Sequence, residues 1–444
     1  MSGRNLSPLT VAVIALVVVL LIVALGWLLF RGDPSLLRTV SFQHDSISPN
    51  ADGQQDITTI SYELARNANV SIYFENSDGE RFFFRHDEPR GVGEYQVLFS
   101  GVVDGYSLPG ETIEGEIVAR LLQDGDYTWT VAAKDKGGKM EEVSGFLAVQ
   151  EPDIVLPEMR NFSLDKHIFS PNQDGIDDRV QIQFFLPKEV IQTRVFVETA
   201  EGSELPVAEV ERGVAPGSPG RHYFDYEAGV DNKATPPPDG IYKIVAVAED
   251  AEGQRIRVED QLEIQFGGVP RAEVISPVIG DTVEWTSTAV AICDTIFFTL
   301  TVQNYGTTPL RTSGPEPGMI YDSDWNYNSL GWHTESGAWR AAIGYENELS
   351  NYPYRWAIGG ANDLEKIGDH YYLMPGQRAV ISGGIRLTGP FGDRNPQPVW
   401  AGLIHEDVEI SQFNNRVDPH EILVDIPDEG NLEDCAPREI PITK

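Results

Sequence analysis

The segment SPNADGQQD at residues 48–56 recurs as SPNQDGIDD at residues 170–178. Each copy runs directly into a strand-like alternation of apolar and polar residues, ITTISYEL after the first copy and RVQIQFFL after the second. A second matching pair closes each copy, namely DGDYTWTVAAKDKGG from Asp124 and DGIYKIVAVAEDAEG from Asp239. Matched starts and matched ends at nearly constant offset predict two tandem copies of one module of about 110 residues.

The modules have the pattern of antiparallel β-structure. Runs such as NVSIYFENSDGERFFF and TRVFVETAEG alternate apolar and polar residues and are separated by Gly, Pro, Asn and Asp, which is typical of short strands in a sandwich. Long apolar stretches with a helical period are absent outside residues 9–30. The sequence therefore predicts an all-β chain of three tandem β-sandwich domains: module 1 at 41–150, module 2 at 158–267 and a third domain at 270–427, followed by an acidic tail at 428–444.

The repeated motifs resemble those of a known bacterial domain. The arrangement F/I-S-P-N-x-D-G-x-x-D, then a strand, then D-G-x-Y and A-x-D-x-x-G, is carried by Ile47–Asp56 with Asp124–Gly138 and by Phe169–Asp178 with Asp239–Gly253. It resembles the Ig-like module of the flagellar hook-capping protein FlgD and of many surface and sorting modules. The resemblance covers about half of the chain and implies an Ig-like β-sandwich for modules 1 and 2.

The third domain has a looser resemblance of the same kind. VQNYGTT at 302–308 and LMPGQ at 373–377 resemble turns of bacterial adhesion-related and tryptophan-containing Ig-like domains, with VWAGL at 399–403 as a late strand. An insertion at about 313–370 departs from that pattern. The resemblance implies a third Ig-like sandwich with an aromatic-rich insertion.

Residues 9–30, LTVAVIALVVVLLIVALGWLLF, contain no charged side chain. As a helix they would extend about 33 Å, enough to cross the hydrocarbon core of a bilayer. A cleaved signal peptide, the alternative, has a shorter apolar region and a small-x-small cleavage site. We therefore expect an uncleaved signal-anchor helix, with residues 1–8 in the cytoplasm, a linker at 31–40, and a single-pass cell-membrane protein whose C-terminal part lies outside, in a bacterial envelope.

The chain is strongly acidic, with 68 Asp and Glu against 33 Lys and Arg and a formal net charge of −35. Such a surface repels phosphate backbones and anionic headgroups, so nucleic acid is excluded as a partner. An excess of carboxylates keeps an exported protein soluble and offers ligands to divalent cations.

Each copy of the SPNxDG segment spaces oxygen-bearing side chains as the first half of an EF-hand calcium loop does, with Gly at the sixth position. The candidate calcium ligands are Asn50, Asp52 and Asp56 in module 1 and Asn172, Asp174 and Asp178 in module 2. The twelfth position holds Thr59 or Gln181 instead of a bidentate Glu, so only half of a loop is present. The alternative is that Asn and Asp form Asx-turns at the entry into the first strand. No other cofactor is predicted.

The insertion in the third domain is rich in aromatic residues. Its segment SDWNYNSLGWHTESGAW has the composition of an extended loop, where large rings cannot all be buried. Exposed Trp and Tyr faces stack on sugar rings and anchor protein interfaces. The candidate ligand-binding residues are therefore Trp325, Tyr327, Trp332 and Trp339; the alternative is that these rings pack in the core.

The chain has two cysteines, Cys293 in a strand-like run and Cys435 in the tail. In an oxidising compartment they could join the tail to the third domain by a disulfide bond. The alternative is two unpaired thiols.

Catalytic signatures are missing from the sequence. It has no HExxH, no G-x-S-x-G, no phosphate-binding glycine loop and no dinucleotide fingerprint. We therefore expect a non-enzymatic structural or adhesive protein, in which the two modules hold the third domain toward an envelope glycan or a surface protein. An accessory subunit of an envelope or secretion complex is the alternative, and a carbohydrate-active enzyme is a third.

Overall fold

The computed structural model describes residues 7–29, 35–210, 212, 214–348, 351–390, 394–410, 412–426, 435–436 and 438–441. Within these residues the chain is built almost wholly from β-strands, as the sequence predicts, in three successive pairs of sheets. The remainder of the predicted cytoplasmic N-terminus, of the linker and of the acidic tail lies outside the described residues.

The α-helix of the chain, α1, spans Pro8–Leu29. Among the residues described, no helix has the combination of length and apolarity that crossing a membrane requires. The predicted signal-anchor helix at 9–30 is therefore not upheld, and with it the single-pass membrane topology and the cell-membrane localisation are corrected.

Module 1 is a two-layer sandwich. Its strands are β1 (Leu37–Phe42), β2 (Ser46–Ile47), β3 (Thr58–Leu64), β4 (Ala68–Glu75), β5 (Arg81–Arg90), β6 (Gly93–Phe99), β7 (Val102–Asp104), β8 (Glu116–Leu121), β9 (Gly125–Asp135) and β10 (Met140–Val149). One sheet has the order β1-β3-β6 and the other β2-β10-β9-β4-β5. β1 begins at Leu37, so part of the predicted linker belongs to the sandwich.

The alternation of apolar and polar residues along the strands determines which side chains form the core of module 1. In β3 every second side chain, Thr58, Ile60, Tyr62 and Leu64, is buried and the residues between them are half-buried. This is the two-residue period of a strand that covers a core with one face. Trp129 lies on the facing sheet, and its ring stacks on that of Phe42 at 4.3 Å.

Module 2 repeats this architecture. Its strands are β11 (Arg160–Leu164), β12 (Ile168–Phe169), β13 (Val180–Leu186), β14 (Gln192–Glu198), β15 (Glu204–Val207), β16 (Gly220–Tyr226), β17 (Gly240–Glu249) and β18 (Arg255–Ile264), with a 3-10 turn at Val230–Asn232. In both modules the short strand before the SPNxDG loop pairs in parallel with the last strand, β2 with β10 and β12 with β18.

The closing D-G-x-Y motif has the same role in both modules. The Tyr127 hydroxyl donates a hydrogen bond to the Gln123 carbonyl at 3.1 Å, and the Tyr242 hydroxyl donates to the Pro238 carbonyl at 2.7 Å. Such a tyrosine corner ties the start of a strand to the preceding connection in Greek-key sandwiches. The repeated motif is therefore accounted for by folding.

Modules 1 and 2 share a sheet. The β7–β8 hairpin lies between β6 and β9 in sequence, yet β8 pairs antiparallel with β18 of module 2. The resulting sheet has the order β15-β14-β17-β18-β8-β7, with β12 on the other half of β18. The module boundary predicted from sequence therefore does not coincide with a boundary in the hydrogen-bond ladder.

A polar cluster closes the same joint. The Lys188 ammonium lies 3.1 Å from Asp250 and 3.2 Å from Asp153 of the connection between the modules. The side chain of Gln254 donates to the carbonyls of Asp153 and Val155, both at 3.0 Å. Since Asp250 and Gln254 are fully buried, these contacts fix the connection against module 2.

The third domain is a larger sandwich. Its strands are β19 (Ala272–Val274), β20 (Glu284–Trp285), β21 (Ala289–Ala291), β22 (Thr295–Asn304), β23 (Leu310–Thr312), β24 (Ile320–Asp322), β25 (Trp339–Tyr345), β26 (Tyr354–Ala357), β27 (Glu365–Ile367), β28 (His370–Leu373), β29 (Arg378–Arg386), β30 (Gln397–His405), β31 (Glu409–Ile410) and β32 (Val417–Asp425), with a 3-10 turn at Gln412–Asn414. One sheet contains β19, β20, β22, β24 and β29, and the other contains the remaining strands.

The C-terminal tail is attached to this domain. Cys293 and Cys435 form a disulfide bond in the structure. Beside it, the Arg438 guanidinium lies 3.3 Å from the buried carboxylate of Asp322, which also forms a two-pronged ion pair with Arg386 at 2.6 and 2.8 Å. The described tail residues therefore lie against the sheet containing β24 and β29.

Candidate functional site

The SPNxDG loop of module 1 is a chain of Asx-turns. The Asn50 side-chain oxygen accepts the backbone N–H of Asp52 at 3.1 Å, and the Asp52 carboxylate accepts that of Gln54 at 2.8 Å. The Asp56 carboxylate accepts the N–H groups of Asn50 at 3.3 Å and of Gly53 at 2.7 Å. The side-chain oxygens of the candidate calcium ligands thus accept hydrogen bonds from the backbone of the same loop. Calcium binding here stays a prediction.

The loop of module 2 has the same hydrogen bonds in a different environment. Asp178 accepts the N–H groups of Asn172 at 3.2 Å and Gly175 at 2.6 Å, and Asp174 accepts that of Ile176 at 2.8 Å. Unlike their counterparts in module 1, Asn172 and Asp174 are buried. Burial raises the pKa of Asp174, and burial together with the charge of Asp174 raises the pKa of Asp178 to about 6.

The third domain covers this second loop. The Tyr372 hydroxyl donates to Asp174 at 3.3 Å, and Nε2 of His405 donates to the Gln173 carbonyl at 2.7 Å. Burial lowers the pKa of His405 to about 4, so the imidazole is neutral at pH 7 and its Nε2 carries the proton. The second copy of the repeat motif therefore forms the joint between module 2 and the third domain.

Two of the four candidate binding aromatics are core residues. Trp339 is 3% exposed and stacks on the His405 ring at 4.4 Å, and Trp325 is 8% exposed beneath the tail residue Arg438. Trp339 is the first residue of β25, and the turn that carries Trp325 lies against the core, so both rings are buried. For Trp325 and Trp339 the exposed-face prediction is thus corrected in favour of core packing.

The other two aromatics are partly accessible. Tyr327 stacks on the Arg355 guanidinium, whose carbon lies 3.8 Å from the ring centre. Trp332 packs against the core on one side and lines an open cavity on the other. The structure therefore places one of the predicted binding residues, Trp332, in a site that a ligand can enter.

This cavity, the third-domain cleft, has a volume of about 620 Å³. Its walls come from the segments 312–319 and 357–371, with Leu330, Trp332 and the tail residue Pro441. The aromatic side chains at the cleft are Trp332 and Tyr371, and its titratable ones are Glu316, Asp369 and His370. A largely apolar cavity with a few polar groups is the usual form of a small-ligand site.

A buried ion network holds one wall of the cleft. Glu406 is almost fully buried and lies 3.0 Å from the Arg340 guanidinium and 2.8 Å from that of Arg355. Nε of Arg340 donates to the Ser313 carbonyl at 2.8 Å, and a second nitrogen donates to the His333 carbonyl at 3.0 Å. Burial lowers the pKa of Arg340, which the Glu406 charge opposes. The network therefore links the cleft segments around Ser313 and His333 to β25 and β30.

Glu335 extends this network toward the joint. Its carboxylate accepts hydrogen bonds from the Ser313 hydroxyl and from the Arg311 guanidinium, both at 2.5 Å. Burial raises the pKa of Glu335, but the Ser313 hydroxyl and the Arg311 charge outweigh it and lower the pKa overall. Arg311 also donates to the Ser336 carbonyl, beside Gly175 of module 2.

Sequence reasoning missed most of the cleft. Glu316, Asp369 and His370 lie in unrelated stretches that carry no motif, and Tyr371 is only one aromatic among many in that part of the chain. Their convergence depends on the β27–β28 hairpin, where Ile367 pairs with His370.

No protein family and no curated protein matches this chain. Among solved structures it is similar to a tetra-tandem repeat from the extending region of a large adhesion protein (13% identity, 84% of this chain and 71% of that chain, TM-score 0.19). It is also similar to a Ca²⁺-stabilized, ice-binding adhesin of an Antarctic bacterium (12%, 84% and 83%, 0.22) and to a DUF4785 family protein from Legionella pneumophila (9%, 88% and 90%, 0.20). These are β-rich domains, and similarities of this size carry no information about function.

Proposed function

We propose that the protein is a non-catalytic, adhesion-type binding protein of the bacterial surface, whose third-domain cleft binds an envelope glycan. The observation that carries the proposal is the cleft itself. Trp332 and the 38% exposed ring of Tyr371 offer faces for sugar rings, and Asp369 and His370 stand beside them to bind hydroxyl groups.

The remainder of the chain suits the role of a support. β8 joins modules 1 and 2 into one sheet, and the Asp174 loop joins module 2 to the third domain. Both connections use buried hydrogen bonds, so the three domains form an arm that presents the cleft. The disulfide bond between Cys293 and Cys435 supports an oxidising, extracytoplasmic location.

We also infer that modules 1 and 2 are FlgD-like Ig-like modules. The repeated Asx-turn loops and the two tyrosine corners support this assignment, because they occupy the positions that define the motif. Calcium binding by the accessible loop at Asn50, Asp52 and Asp56 is part of the proposal, with stabilisation of the arm as its purpose.

The test is capture of the purified full chain on isolated cell-wall glycan. Trp332→Ala removes the stacking face and should weaken capture at least tenfold, and Asp369→Asn, at an exposed position, should weaken it without affecting folding. Tyr305→Ala is the matched control, since Tyr305 is a half-exposed aromatic outside the cleft. Equal capture by all four proteins, or none by the wild type, would reject the glycan site.

A second candidate is an accessory subunit that docks on another protein. Val278 and Ile279 of the third domain are almost completely exposed and adjacent in the sequence, and contiguous exposed apolar surface marks interaction sites. If Val278→Ser with Ile279→Ser abolishes co-purification of a specific envelope protein while glycan capture is absent, the docking function replaces the first.

A further inference from the structure

A separate group of metal-ligating side chains lies in the third domain, outside the residues that line the cleft. Asp281 belongs to the turn before β20, and Asp418 and His420 belong to β32. One ligand atom from each of the three, two carboxylate oxygens and an imidazole nitrogen, lies within 4.8 Å of the others. That spacing is the one that ligands around a single cation adopt, with bonds of about 2.0–2.2 Å to zinc.

The strand itself brings two of these groups together. Residues two apart on a strand point to the same face, and in β32 the inward-facing positions continue from Asp418 and His420 to the buried Ile422 and Val424. The core-facing positions of β32 thus hold ionisable groups at the beginning of the strand and aliphatic groups further along it. The pairing of β32 with β30 has a register shift opposite this point, between Val399 and Ala401.

The imidazole is not satisfied by the protein. Nε2 of His420 is shielded from solvent and has no hydrogen-bond partner among the described residues. It lies 3.3 Å from Oδ1 of Asp418, in a geometry that does not form a hydrogen bond. A ring nitrogen that is shielded from water and makes no hydrogen bond is costly unless a further group binds it.

The Asp418 carboxylate is held in place by the backbone, with one oxygen next to His420. Its Oδ2 accepts the backbone N–H of Val283 at 2.9 Å, which fixes the carboxylate and leaves Oδ1 on the His420 side. A hydrogen bond to one oxygen of a ligating carboxylate is the usual support behind a metal ligand. Asp281 supplies the third group from the solvent side.

We propose that Asp281, Asp418 and His420 bind one divalent transition-metal ion, with Zn²⁺ as the best fit. Two carboxylates balance the 2+ charge, and one imidazole with two carboxylate oxygens leaves a fourth tetrahedral position for water. The imidazole disfavours Ca²⁺ and Mg²⁺, which prefer oxygen ligands. The ion would tie the loop that carries Val278 and Ile279 to β32.

The experiment is isothermal titration of the metal-free full chain with Zn²⁺, followed by Co²⁺ as a spectroscopic substitute. We expect one binding site per chain, and visible Co²⁺ absorption that is typical of a four-coordinate ion. Asp281→Asn, at an exposed position, should weaken binding at least tenfold, and His420→Gln should remove both binding and the absorption band. A hundredfold excess of Ca²⁺ should not compete.

The controls separate this site from other binding. His44→Gln, an exposed histidine of module 1, and Asp52→Asn, in the module 1 loop, should leave the titration unchanged. An absence of Zn²⁺ binding, or affinity that is equal in wild type, Asp281→Asn and His420→Gln, would overturn the proposal. Because Asp281 is exposed, its variant still tests the metal site if His420→Gln fails to fold.

Discussion

Replacing Gly175 by Ala tests whether the second repeat loop holds the third domain in place. A Cβ at this position would lie 2.2 Å from the Ser336 carbonyl oxygen, and one on Gly337 opposite would lie 2.1 Å from the Asp174 carbonyl carbon. The two backbones therefore touch where neither residue has a side chain. Inserting a methyl group forces the domains apart or distorts the loop.

The repeat supplies a matched control. Gly53 is the equivalent residue of module 1, with a φ of +84° against +81° for Gly175, and a Cβ there would meet no described heavy atom within 4 Å. Both Ala variants incur a left-handed backbone cost of about 1–2 kcal/mol. Gly175→Ala adds an overpacking cost of about 1–3 kcal/mol, so the difference between the variants measures the joint alone.

Two assays measure that difference. Thermal unfolding should show a larger loss of stability for Gly175→Ala than for Gly53→Ala, and small-angle X-ray scattering should show an increased radius of gyration for Gly175→Ala only. Equal loss of stability with unchanged scattering from both variants would refute the assignment of this loop to the joint.

Three further results are expected. Because the folded-state pKa of Asp178 is raised to about 6, above its unfolded value near 4, the unfolded state loses its proton first, and stability should fall by about 2–3 kcal/mol as the pH rises from 4 through 6. Urea denaturation should show a smaller fall in that window for Asp178→Asn, in which the raised pKa of Asp174 still contributes, and a fall as large as in the wild type would contradict this. Adding Ca²⁺ to chelated protein should raise the melting temperature, and Asp52→Ala should abolish the part of that rise that comes from module 1. An unchanged melting temperature would mean that the loop residues form Asx-turns without binding calcium. Finally, native thiol labelling should detect neither cysteine, and Cys435→Ser should cost about 2–5 kcal/mol of stability, whereas labelling of both thiols before reduction would contradict the disulfide.

Local patterns predicted the strands well. The alternation in ITTISYEL and RVQIQFFL became β3 and β13, because a strand with one face on a core must alternate. The Asx-turn alternative for the repeat loops was also readable, since Asn and Asp hydrogen-bond the backbone two residues on, as seen at Asn50 and Asn172. In these elements the neighbouring residues determine the outcome.

Long-range pairing was not readable from the sequence. Nothing in EIVARL, the sequence of β8, distinguishes a partner in its own module from β18 in the next. The burial of Trp325 depends likewise on a turn lying against the core, and that of Trp339 on the pairing of β25 with β30, beside the Arg340–Glu406 ion pair. The cleft joins segments about 50 residues apart, and no periodicity connects them.

The shared sheet has a consequence for the synthesis of the chain. The chain emerges from its N-terminus, so β8 exists before β18 has been made, about 140 residues later. During that interval the hairpin presents an unpaired strand edge, which is a template for pairing with other chains. Glu111, Glu114 and Glu116 place acidic side chains beside it, and charged residues near a strand edge disfavour such pairing; in the folded chain Glu114 accepts the backbone N–H of Asn161 at 2.8 Å. The β7–β8 hairpin of module 1 thus reaches its folded pairing only after β18 of module 2 has been synthesised.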